Sequence, residues 1–436
     1  MNALAGFPDG FEIGVSTAAY QIEGAVAEDG RGPSVWDTFA HTPGRVKNGD
    51  TGDVACDHYH RWPEDVALMA DLGVDAYRFS IAWPRVQPTG SGAPNAAGLD
   101  FYERLVDALL QRGIAPLPTL FHWDLPQALE DQGGWLSRST AERFAEYAGL
   151  VADRLGDRVH RWITLNEPVV HMAEGYAWGG GAPGKSLMFG ALPVAHHQLL
   201  GHGLATTVLR ERGATEVMIT NNCSPVLPAT DDEADVMAAA VYDSFHNRLF
   251  NDPILLGTYP EMLGEFLGDL IRDGDLATIH TPLDALGINY YNPTRIAAAA
   301  ADADLPFDPR PIEGVPTTAF GWPVVPGGLR DLLVGLKDTY GDALPPVYIT
   351  ENGCSTPDGT DDTFRIDYLR GHLDALRGAI EAGVDVRGYY IWSLMDNFEW
   401  REGYSQRFGL VRMDFETQQR TPKESYHWLR SALAAR

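Results

Sequence analysis

Residues 162–168 read Trp-Ile-Thr-Leu-Asn-Glu-Pro, and residues 347–353 read Val-Tyr-Ile-Thr-Glu-Asn-Gly. Both segments are apolar and β-branched until they reach a glutamate beside an asparagine, and each then meets a chain-breaking proline or glycine. Such segments are typical of buried strands whose last side chain is a carboxylate at the mouth of a pocket. The two segments therefore predict two buried strands that end at Glu167 and Glu351.

Similar strand-like runs recur along the whole chain. The eight candidate strands are residues 11–20, 76–83, 114–123, 162–167, 217–222, 285–291, 347–351 and 388–394. Helical spacing of four, three and four residues lies between several of them. It is clearest at Phe144, Ala148, Val151 and Leu155, and again at Leu369, Leu373, Leu376 and Ile380. Strand and helix therefore alternate.

Glycines mark the ends of several predicted helices. Gly73, Gly113 and Gly383 each directly precede an apolar strand, as a left-handed C-cap before a short loop would require. Eight alternations without a break in composition predict an α/β fold, a single (β/α)8 TIM barrel over residues 1–436, rather than a doubly wound sheet. We expect long βα loops on its catalytic face, including residues 297–322 as a long loop after strand six.

The charge of the chain limits its partners. The 436 residues include 33 Lys and Arg against 60 Asp and Glu, for a formal net charge of −27. Such a field repels phosphate backbones and anionic membrane surfaces, so neither nucleic acid nor membrane is an expected partner. A small neutral substrate meets no such repulsion.

Cysteine usage and apolar runs bear on the compartment. Cys56, Cys223 and Cys354 are odd in number and lack CxxC spacing, which fits a reducing environment. The N-terminal residues lack the basic start and long apolar core of a secretory signal, and no apolar run reaches the roughly 18 residues of a membrane span. We predict a soluble, cytoplasmic protein, although a mature form cut from a precursor would look the same; the oligomeric state stays open.

Polar side chains and indoles collect where the predicted strands end. In order along the chain they are Gln21, Glu23, Arg78, His122, Trp123, Asn166, Glu167, Asn289, Tyr291, Glu351 and Trp392. Loops begin at these positions and are polar in any protein, which is the simpler explanation for single members. However, groups that hydrogen-bond sugar hydroxyls occur here together with indoles that can stack on a pyranose. Chemistry in such barrels takes place at these strand ends.

Paired carboxylates point to one reaction class. Cleavage of a glycosidic bond needs one acid to protonate the leaving oxygen and one carboxylate to attack or to activate water. Glu167 and Glu351 supply such a pair, so the residues by themselves predict a glycosidase.

The chain also resembles the family 1 glycoside hydrolases, and their bacterial β-glucosidases in particular, over nearly its whole length. The motifs that carry the resemblance follow the family's order: YQIEG at 20–24, YRFSIAW at 77–83, FHWD at 121–124, LNEP at 165–168, INYY at 288–291, ITENG at 349–353, WSLMDNFEW at 392–400 and RTPKES at 420–425. The resemblance implies a TIM barrel and a retaining β-glucosidase that needs no metal or cofactor. It would release terminal non-reducing β-D-glucosyl residues from cello-oligosaccharides or from aryl or alkyl glucosides.

The resemblance assigns Glu167 as acid/base and Glu351 as nucleophile of a double displacement through a covalent glycosyl-enzyme. Glu167 must then begin protonated, and both a less polar setting and the charge of Glu351 would raise its pKa. Glu351 must stay ionised, for which Arg78 and the hydroxyl of Tyr291 are the expected stabilising groups.

Substrate-binding roles follow from the same resemblance. Gln21, His122, Asn166, Glu399 and Trp400 would bind hydroxyls of the non-reducing sugar, with Asn166 on the 2-hydroxyl. Trp392 would form the floor of the sugar site, and Trp322 matches the family's aromatic residue on the leaving-group side. Phe408 matches an aromatic residue near Glu399, with core packing as its alternative role. Trp123 and Asn289 complete the predicted substrate-binding set from their positions at strand ends.

Other interpretations remain at this stage. The sugar preference could instead be that of a β-galactosidase, a β-fucosidase or a broad-specificity relative, because related pockets accept several epimers. Ile13 stands where many relatives carry an aromatic residue, and this departure could alter what lies beyond the first sugar. A sugar-binding barrel without turnover is a second alternative. Residues 179–186 (GGGAPGKS) match the phosphate-binding loop of NTPases, but the run before them is polar and aromatic rather than a strand. Histidines lack the spacing of a zinc site, so no metal is expected.

Overall fold

Parallel strands that pair in sequence order close on themselves into a barrel. In the computed structural model, which describes residues 3–303 and 305–436 and only the backbone at position 265, the first barrel strand pairs with both the second and the last. The barrel strands in the described residues are β1 Glu12–Ser16, β2 Ala76–Ser80, β3 Ala115–Phe121, β4 Arg161–Asn166, β5 Glu216–Asn222, β6 Ala285–Asn289, β7 Val347–Asn352 and β8 Val386–Trp392. The predicted (β/α)8 barrel is confirmed.

All of the predicted strands overlap a barrel strand, and the differences lie at their ends. The strand predicted at 11–20 covers only Glu12–Ser16, because the chain then turns into the short helix Ala19–Ile22. The run 285–291 likewise ends at Asn289, and the buried Tyr290 that follows belongs to the loop. The βα loops pack over the barrel and contain apolar residues, which made these predicted strands longer than the observed ones.

Helices connect the strands. Those of eight or more residues are His58–Leu72, Ala96–Gln111, Arg138–Leu155, Leu192–Glu211, Glu233–Asp243, Leu249–Leu256, Pro326–Tyr340, Thr363–Glu381 and Glu424–Ala434. Short helical segments are Ala19–Ile22, Val35–Ala40, Lys47–Gly49, Trp83–Val86, Gln127–Glu130, Gly134–Leu136, Pro168–Val170, His171–Ala177, Met188–Ala191, Ser244–Arg248, Glu261–Leu263, Gly264–Leu267, Asp275–Ile279, Gly341–Ala343 and Trp400–Glu402. The apolar faces predicted on Arg138–Leu155 and Thr363–Glu381 pack on the barrel with Phe144 and Leu369 fully buried.

The glycines predicted as helix caps adopt the left-handed conformation. Gly73, Gly113 and Gly383 have φ angles of 84°, 71° and 89°. A residue with a Cβ is strained at such angles, so glycine ends these helices and lets the chain turn into the next strand.

An apolar layer closes the N-terminal end of the barrel. Its members inside the barrel are Ala76, Leu117, Ile163, Met218, Ala285, Tyr348 and Tyr390. Arg161 reaches over the Tyr348 ring and pairs with Glu12 at 2.8 Å, and the Tyr390 hydroxyl donates to the same carboxylate. Because this end is filled, a pocket within the barrel opens only at the carboxyl ends of the strands.

The segment 297–322 follows β6 as expected but is not an irregular loop throughout. Strand Thr294–Ala298 pairs antiparallel with Phe307–Arg310 and parallel with Val226–Pro228. Ile296 and Phe307 pack against two alanines of the helix Glu233–Asp243, and this small apolar cluster holds the sheet in place. Asp304 lies outside the described residues. A second small sheet pairs Val411–Asp414 with Gln419–Pro422.

Within the described residues, every helix is too short or too polar to cross a lipid bilayer. Met1 and Asn2, at the start of the N-terminal segment considered above, lie outside the described residues.

The close approach of two side chains at Gly287 yields a stability prediction. A Cβ there would lie 2.2 Å from Thr220 Oγ1 and 3.0 Å from Thr350 Oγ1 inside the barrel. We expect Gly287→Ala to lower the free energy of unfolding by about 1–3 kcal/mol, because the barrel interior must shift to admit the methyl group. Thermal and urea denaturation measure the effect.

Gly335→Ala is the matched control, since a Cβ at Gly335, on the exposed face of Pro326–Tyr340, meets no atom within 4 Å among the described residues. It should leave stability unchanged or raise it by up to about 1 kcal/mol, as alanine favours helix over glycine. Equal stability of the two variants would contradict the proposed crowding at Gly287.

Candidate active site

Irregular strand ends turn the two glutamates toward the barrel axis. Against β5, the register of β4 shifts between Ile163 and Asn166. Against β6, the register of β7 shifts between Ile349 and Glu351. Such bulges redirect side chains and are frequent beside active sites. Glu167, which follows β4 directly, also has a left-handed backbone with φ 44° and ψ 60°.

Both carboxyl groups line one cavity of about 450 Å³ at the carboxyl end of the barrel. Glu167 is 4% exposed and Glu351 is 3% exposed. The lining includes Trp36, His122, Trp123, Glu167, Glu174, Asn222, Tyr291, Phe320, Trp322, Glu351, Trp392, Glu399, Trp400, Arg401, Glu402 and Phe408, with a glycine-rich rim at Gly180 and Gly181. The cavity therefore brings together the two predicted catalytic residues and most of the predicted substrate-binding residues.

Glu351 is held at both oxygens. Arg78 Nη1 donates to Oε1 at 2.6 Å, and the Tyr291 hydroxyl donates to Oε2 at 2.7 Å. Burial raises the pKa of Glu351, and the Arg78 guanidinium and the Tyr291 hydroxyl oppose that rise. These are the two residues predicted to stabilise its ionised form.

Glu167 lies in a different environment. Asn222 Nδ2 and Asn289 Nδ2 each donate to its Oε1 at 2.9 Å, and no cation of the described residues forms an ion pair with it. Burial first, and then the negative charge of Glu351, raise its pKa to about 8. Near neutral pH, Glu167 is therefore protonated, as a general acid must be.

A chain of hydrogen bonds links the two carboxyl groups. Asn289 donates to Glu167 and, at 3.1 Å, to Asn166 Oδ1, which also accepts from Arg78 Nη2 at 2.5 Å. Arg78 in turn holds Glu351. Because each member has its partners, the network fixes the positions of both carboxyl groups before substrate binds.

Threonines inside the barrel orient Asn289. Thr350 Oγ1 donates to Asn289 Oδ1 at 2.7 Å, and Thr220 Oγ1 donates to Thr350 at 3.2 Å. The amide nitrogen of Asn289 must then face Glu167, since its oxygen is already taken.

Two polar atoms of the sugar-binding set have no partner among the described residues. Asn166 Nδ2 donates to His122 Nε2 at 3.0 Å, so Nε2 is an acceptor and the N–H of the His122 ring lies at Nδ1. Burial keeps the pKa of His122 far below its usual range, so the ring is neutral. Gln21 Oε1 is the second such atom, while its Nε2 donates to Asn397 and Phe398 at 2.9 Å. A donor and an acceptor thus remain for a ligand.

Aromatic side chains form the walls. Trp322 stacks on Phe320 at 4.4 Å between ring centroids and lies 5.9 Å from Phe408. Trp123 and Trp400 meet at 4.6 Å on another side, both with positive φ. Phe408 is buried in the cluster with Trp392 and also lines the cavity, so it packs in the core while one side faces the site.

Four other predicted residues are buried among those that line the cavity. Gln21, Arg78, Asn166 and Asn289 each form a hydrogen bond to a lining residue. Glu23 is the exception among the strand-end residues. It pairs with Arg85 at 2.9 Å and accepts from the Tyr102 hydroxyl, away from the cavity.

Asn222 is the residue that sequence reasoning missed. It is the last residue of β5, the one predicted strand from which no candidate was taken, and it donates to Glu167. Its position at a strand end was the available signal. Trp36, Glu174 and Phe320 also line the cavity, but they lie in loops or short helices without a comparable pattern.

The phosphate-loop motif does not have the structure that its function requires. Residues 179–186 follow the helix His171–Ala177 rather than a strand, and Lys185 pairs with Glu130 at 2.5 Å. The NTPase alternative is therefore not favoured. Among the described residues, no group of three His, Cys, Asp or Glu side chains is arranged to hold a metal ion.

Comparison with known proteins agrees with this geometry. Residues 4–436 match the model of glycosyl hydrolase family 1. A bifunctional β-D-glucosidase/β-D-fucosidase of Bifidobacterium breve is 48% identical over 98% of this chain and 98% of its own. The thermostable β-glucosidase B of Thermobispora bispora is 50% identical over 98% of this chain and 90% of its own. The crystal structure of a psychrophilic β-glucosidase from Micrococcus antarcticus superimposes with a TM-score of 0.96, at 45% identity over 100% of this chain and 98% of that one.

The opposite protonation states of the two glutamates predict a bell-shaped pH profile. With Glu167 as the acid and Glu351 as the nucleophile, as predicted from the sequence, the active form would carry a proton on Glu167 and none on Glu351. Since the pKa of Glu167 is about 8, activity should fall as the pH rises through about 8 and also on the acid side, where Glu351 takes up a proton. The measurement is kcat/KM on an aryl β-glucoside from pH 4 to pH 10.

Asn222→Ala tests the assignment of the alkaline limb. The amide of Asn222 stabilises the ionised form of Glu167, so its loss should raise the pKa of Glu167. The midpoint of the alkaline limb should then move to higher pH by about one unit. Asn221→Ala is the matched control, because this neighbouring asparagine donates to Asn251 instead. An unmoved limb in Asn222→Ala, or an equal shift in both variants, would contradict the assignment.

Proposed function

Because the chain belongs to glycosyl hydrolase family 1 and is therefore a retaining glycoside hydrolase, we propose that Glu167 and Glu351 release terminal β-D-glucosyl residues by double displacement. The observation that carries the proposal is the contrast between two carboxyl groups on one cavity. Arg78 and Tyr291 bind both oxygens of Glu351, whereas Glu167 has only amide partners and a pKa of about 8.

In the first step, Glu351 attacks the anomeric carbon of the bound sugar. The bond from that carbon to the leaving oxygen breaks, and Glu167 gives its proton to this oxygen as the glycosyl ester forms on Glu351. Arg78 and Tyr291 hold the attacking carboxylate in place. The second amide hydrogen of Asn166 is available for the sugar 2-hydroxyl, since the first binds His122.

In the second step, the ester is hydrolysed. The negative charge of Glu351 is lost in the ester, so one cause of the raised pKa of Glu167 disappears. Glu167 then takes a proton from water as the water oxygen bonds to the anomeric carbon, and Glu351 leaves as a carboxylate. The two inversions return the original configuration at that carbon.

A terminal glucose fits the polar groups of the cavity. The predicted hydroxyl-binding set of Gln21, His122, Glu399 and Trp400 surrounds one side, and Trp392 offers a face for the ring. The substrates we propose are cello-oligosaccharides, as in the last step of cellulose degradation, and aryl or alkyl glucosides. A galactosidase, or a fucosidase without glucosidase activity, is not favoured, because each of the three relatives compared above carries β-glucosidase in its name. The Bifidobacterium protein, named for both activities, makes a β-fucoside a useful member of a substrate panel.

We also propose a cytoplasmic location. The three cysteines are buried thiols without a disulfide in the part of the chain that the structure describes, which suits a reducing compartment. Activity on an aryl β-glucoside should therefore appear in the cytosolic fraction of the native host. Activity mainly in the periplasm or medium would contradict this.

Separate roles for the two glutamates predict different losses in isosteric variants. Glu351→Gln removes the nucleophile and should lower kcat by on the order of 10⁵–10⁶-fold on every substrate. Glu167→Gln removes only proton transfer and should lower kcat by about 10²–10⁴-fold. With a dinitrophenyl β-glucoside, the loss in the first step should nearly vanish, because dinitrophenolate leaves without a proton. Pre-steady-state release of dinitrophenol separates the two steps.

The anomeric product gives an independent control. Proton NMR of the first product formed should show the β-anomer, and thermal unfolding should show that both variants are folded. Formation of the α-anomer first, or equal losses in both variants with the dinitrophenyl substrate, would contradict the assigned roles. Absence of turnover in the wild-type protein would favour the binding-only barrel.

A further inference from the structure

The motif at residues 420–425 takes no part in the mechanism above, although it carries part of the family resemblance. It connects the strand Gln419–Pro422 to the last helix, Glu424–Ala434, outside the closed barrel. Its lysine, Lys423, is fully buried. Because an ammonium group loses its hydration on burial, lysine is almost never buried without a partner of opposite charge. A fully buried lysine in this motif therefore indicates that its charge has a specific partner.

The partner of Lys423 is Asp396. Lys423 Nζ lies 2.8 Å from Asp396 Oδ1, and both side chains are fully buried. The same carboxylate oxygen accepts from the backbone N–H of Gly409 at 2.9 Å. A Cβ at Gly409 would lie 2.0 Å from the backbone nitrogen of Asp396, so these two chain segments are in direct contact. Lys423 and the backbone of Gly409 thus hold the Asp396 carboxylate together.

A second buried ion pair is attached to the same motif. Arg365 Nε lies 2.8 Å from Asp362 Oδ2, and Ser425 donates to this aspartate through its N–H at 2.8 Å and its hydroxyl at 2.6 Å. Arg365 also donates to the backbone carbonyl oxygens of Cys354 and Phe408. Phe408 lines the catalytic cavity. The motif is therefore anchored through buried charges to the chain that forms the cavity wall.

Asp396 lies in the segment that presents the sugar-binding groups. Trp392 precedes it, Glu399 and Trp400 follow it, and all three of these residues line the cavity. The residues between Asp396 and Glu399 also accept hydrogen bonds from Gln21 Nε2 at 2.9 Å. A shift of Asp396 would therefore move several of the groups that are predicted to bind glucose.

The Lys423–Asp396 pair provides direction rather than stability. Removing two charges from water costs free energy, which their attraction offsets only with good geometry, so apolar residues of similar volume are often as stabilising. Apolar packing tolerates small displacements. In contrast, an ammonium group at 2.8 Å and the N–H of Gly409 on the same oxygen fix the carboxylate in one position. The pair therefore suits a role in setting the position of the chain around Asp396.

We propose that Lys423 is a positioning residue for the glucose site, and that through Asp396 it fixes the segment that presents Glu399 and Trp400 to the sugar. Lys423 itself does not line the cavity and acts only through this segment. The inference rests on the proposed function, because it takes Glu399 and Trp400 as groups that bind hydroxyls of the glucose.

Lys423→Met removes the charge and keeps most of the side-chain volume. A misplacement of about 1 Å at an active site can cost on the order of 100-fold in rate, so we expect kcat/KM on a nitrophenyl β-glucoside to fall by about 10–100-fold. The inhibition constant of glucose should rise, because the same groups bind the product. The double variant Lys423→Met/Asp396→Asn leaves no unpaired charge buried, so it should fold even if the single variant does not, and it should show the same losses. Unchanged kcat/KM and glucose inhibition in either folded variant would overturn the inference.

Arg138→Met is the matched control. Arg138 also pairs with a buried carboxylate, that of Asp275, at 2.6 Å, and neither residue lines the catalytic cavity. This variant should have a lower melting temperature but unchanged kcat/KM and glucose inhibition. An equal fall in kcat/KM in both variants would mean that the loss reflects general destabilisation, which would also overturn the inference.

A double-mutant cycle with Glu399→Gln separates positioning from general structural support. If Lys423 acts through the segment that presents Glu399, the loss caused by Lys423→Met should be severalfold smaller once Glu399 has been replaced. Equal losses in both backgrounds would overturn the inference. If Glu399→Gln binds glucose as well as the wild-type protein does, or if the wild-type protein fails to hydrolyse the glucoside, the proposed function itself is wrong and the inference fails with it.

Discussion

The site depends on giving two carboxyl groups in one buried cavity different electrostatic partners. Arg78 makes this possible, because its guanidinium binds Glu351 directly and reaches Glu167 only through Asn166 and Asn289. The guanidinium thus compensates the charge of Glu351. Burial and the nearby negative charge of Glu351 both raise the pKa of Glu167. In the proposed mechanism, this electrostatic contrast, rather than either glutamate alone, provides an acid and a nucleophile in the same site.

The barrel supplies this contrast with fixed geometry. The apolar layer at the N-terminal end fills the interior, so the strand ends meet around one opening. Bulges at the ends of β4 and β7 direct the glutamates inward. Threonines on neighbouring strands orient Asn289 from below. The site is therefore supported by the rigid wall of the barrel, while the loops and short helices above it form the entrance.

Strand-end reasoning predicted much of the site because residues that end parallel strands share one edge of the sheet. It placed Arg78, Asn166, Asn289 and Tyr291 among the candidates, and all four belong to the network around Glu167 and Glu351. It included Glu23, whose side chain instead pairs with Arg85, because a strand end does not specify where the next turn points. Asn222 was omitted although it ends β5, because its position was the one signal and the adjacent Asn221 is of the same residue type.

The sequence by itself determined the barrel, its strand order and the two glutamates, because periodic apolar runs and chain-breaking residues act locally. The three cap glycines illustrate this, since each needs only its own backbone angle. Tertiary structure alone decided which residues face the cavity and which of their buried polar atoms have no partner among the described residues. These properties depend on distances between segments far apart in the chain, such as Arg78 and Glu351, and on the burial that sets each pKa.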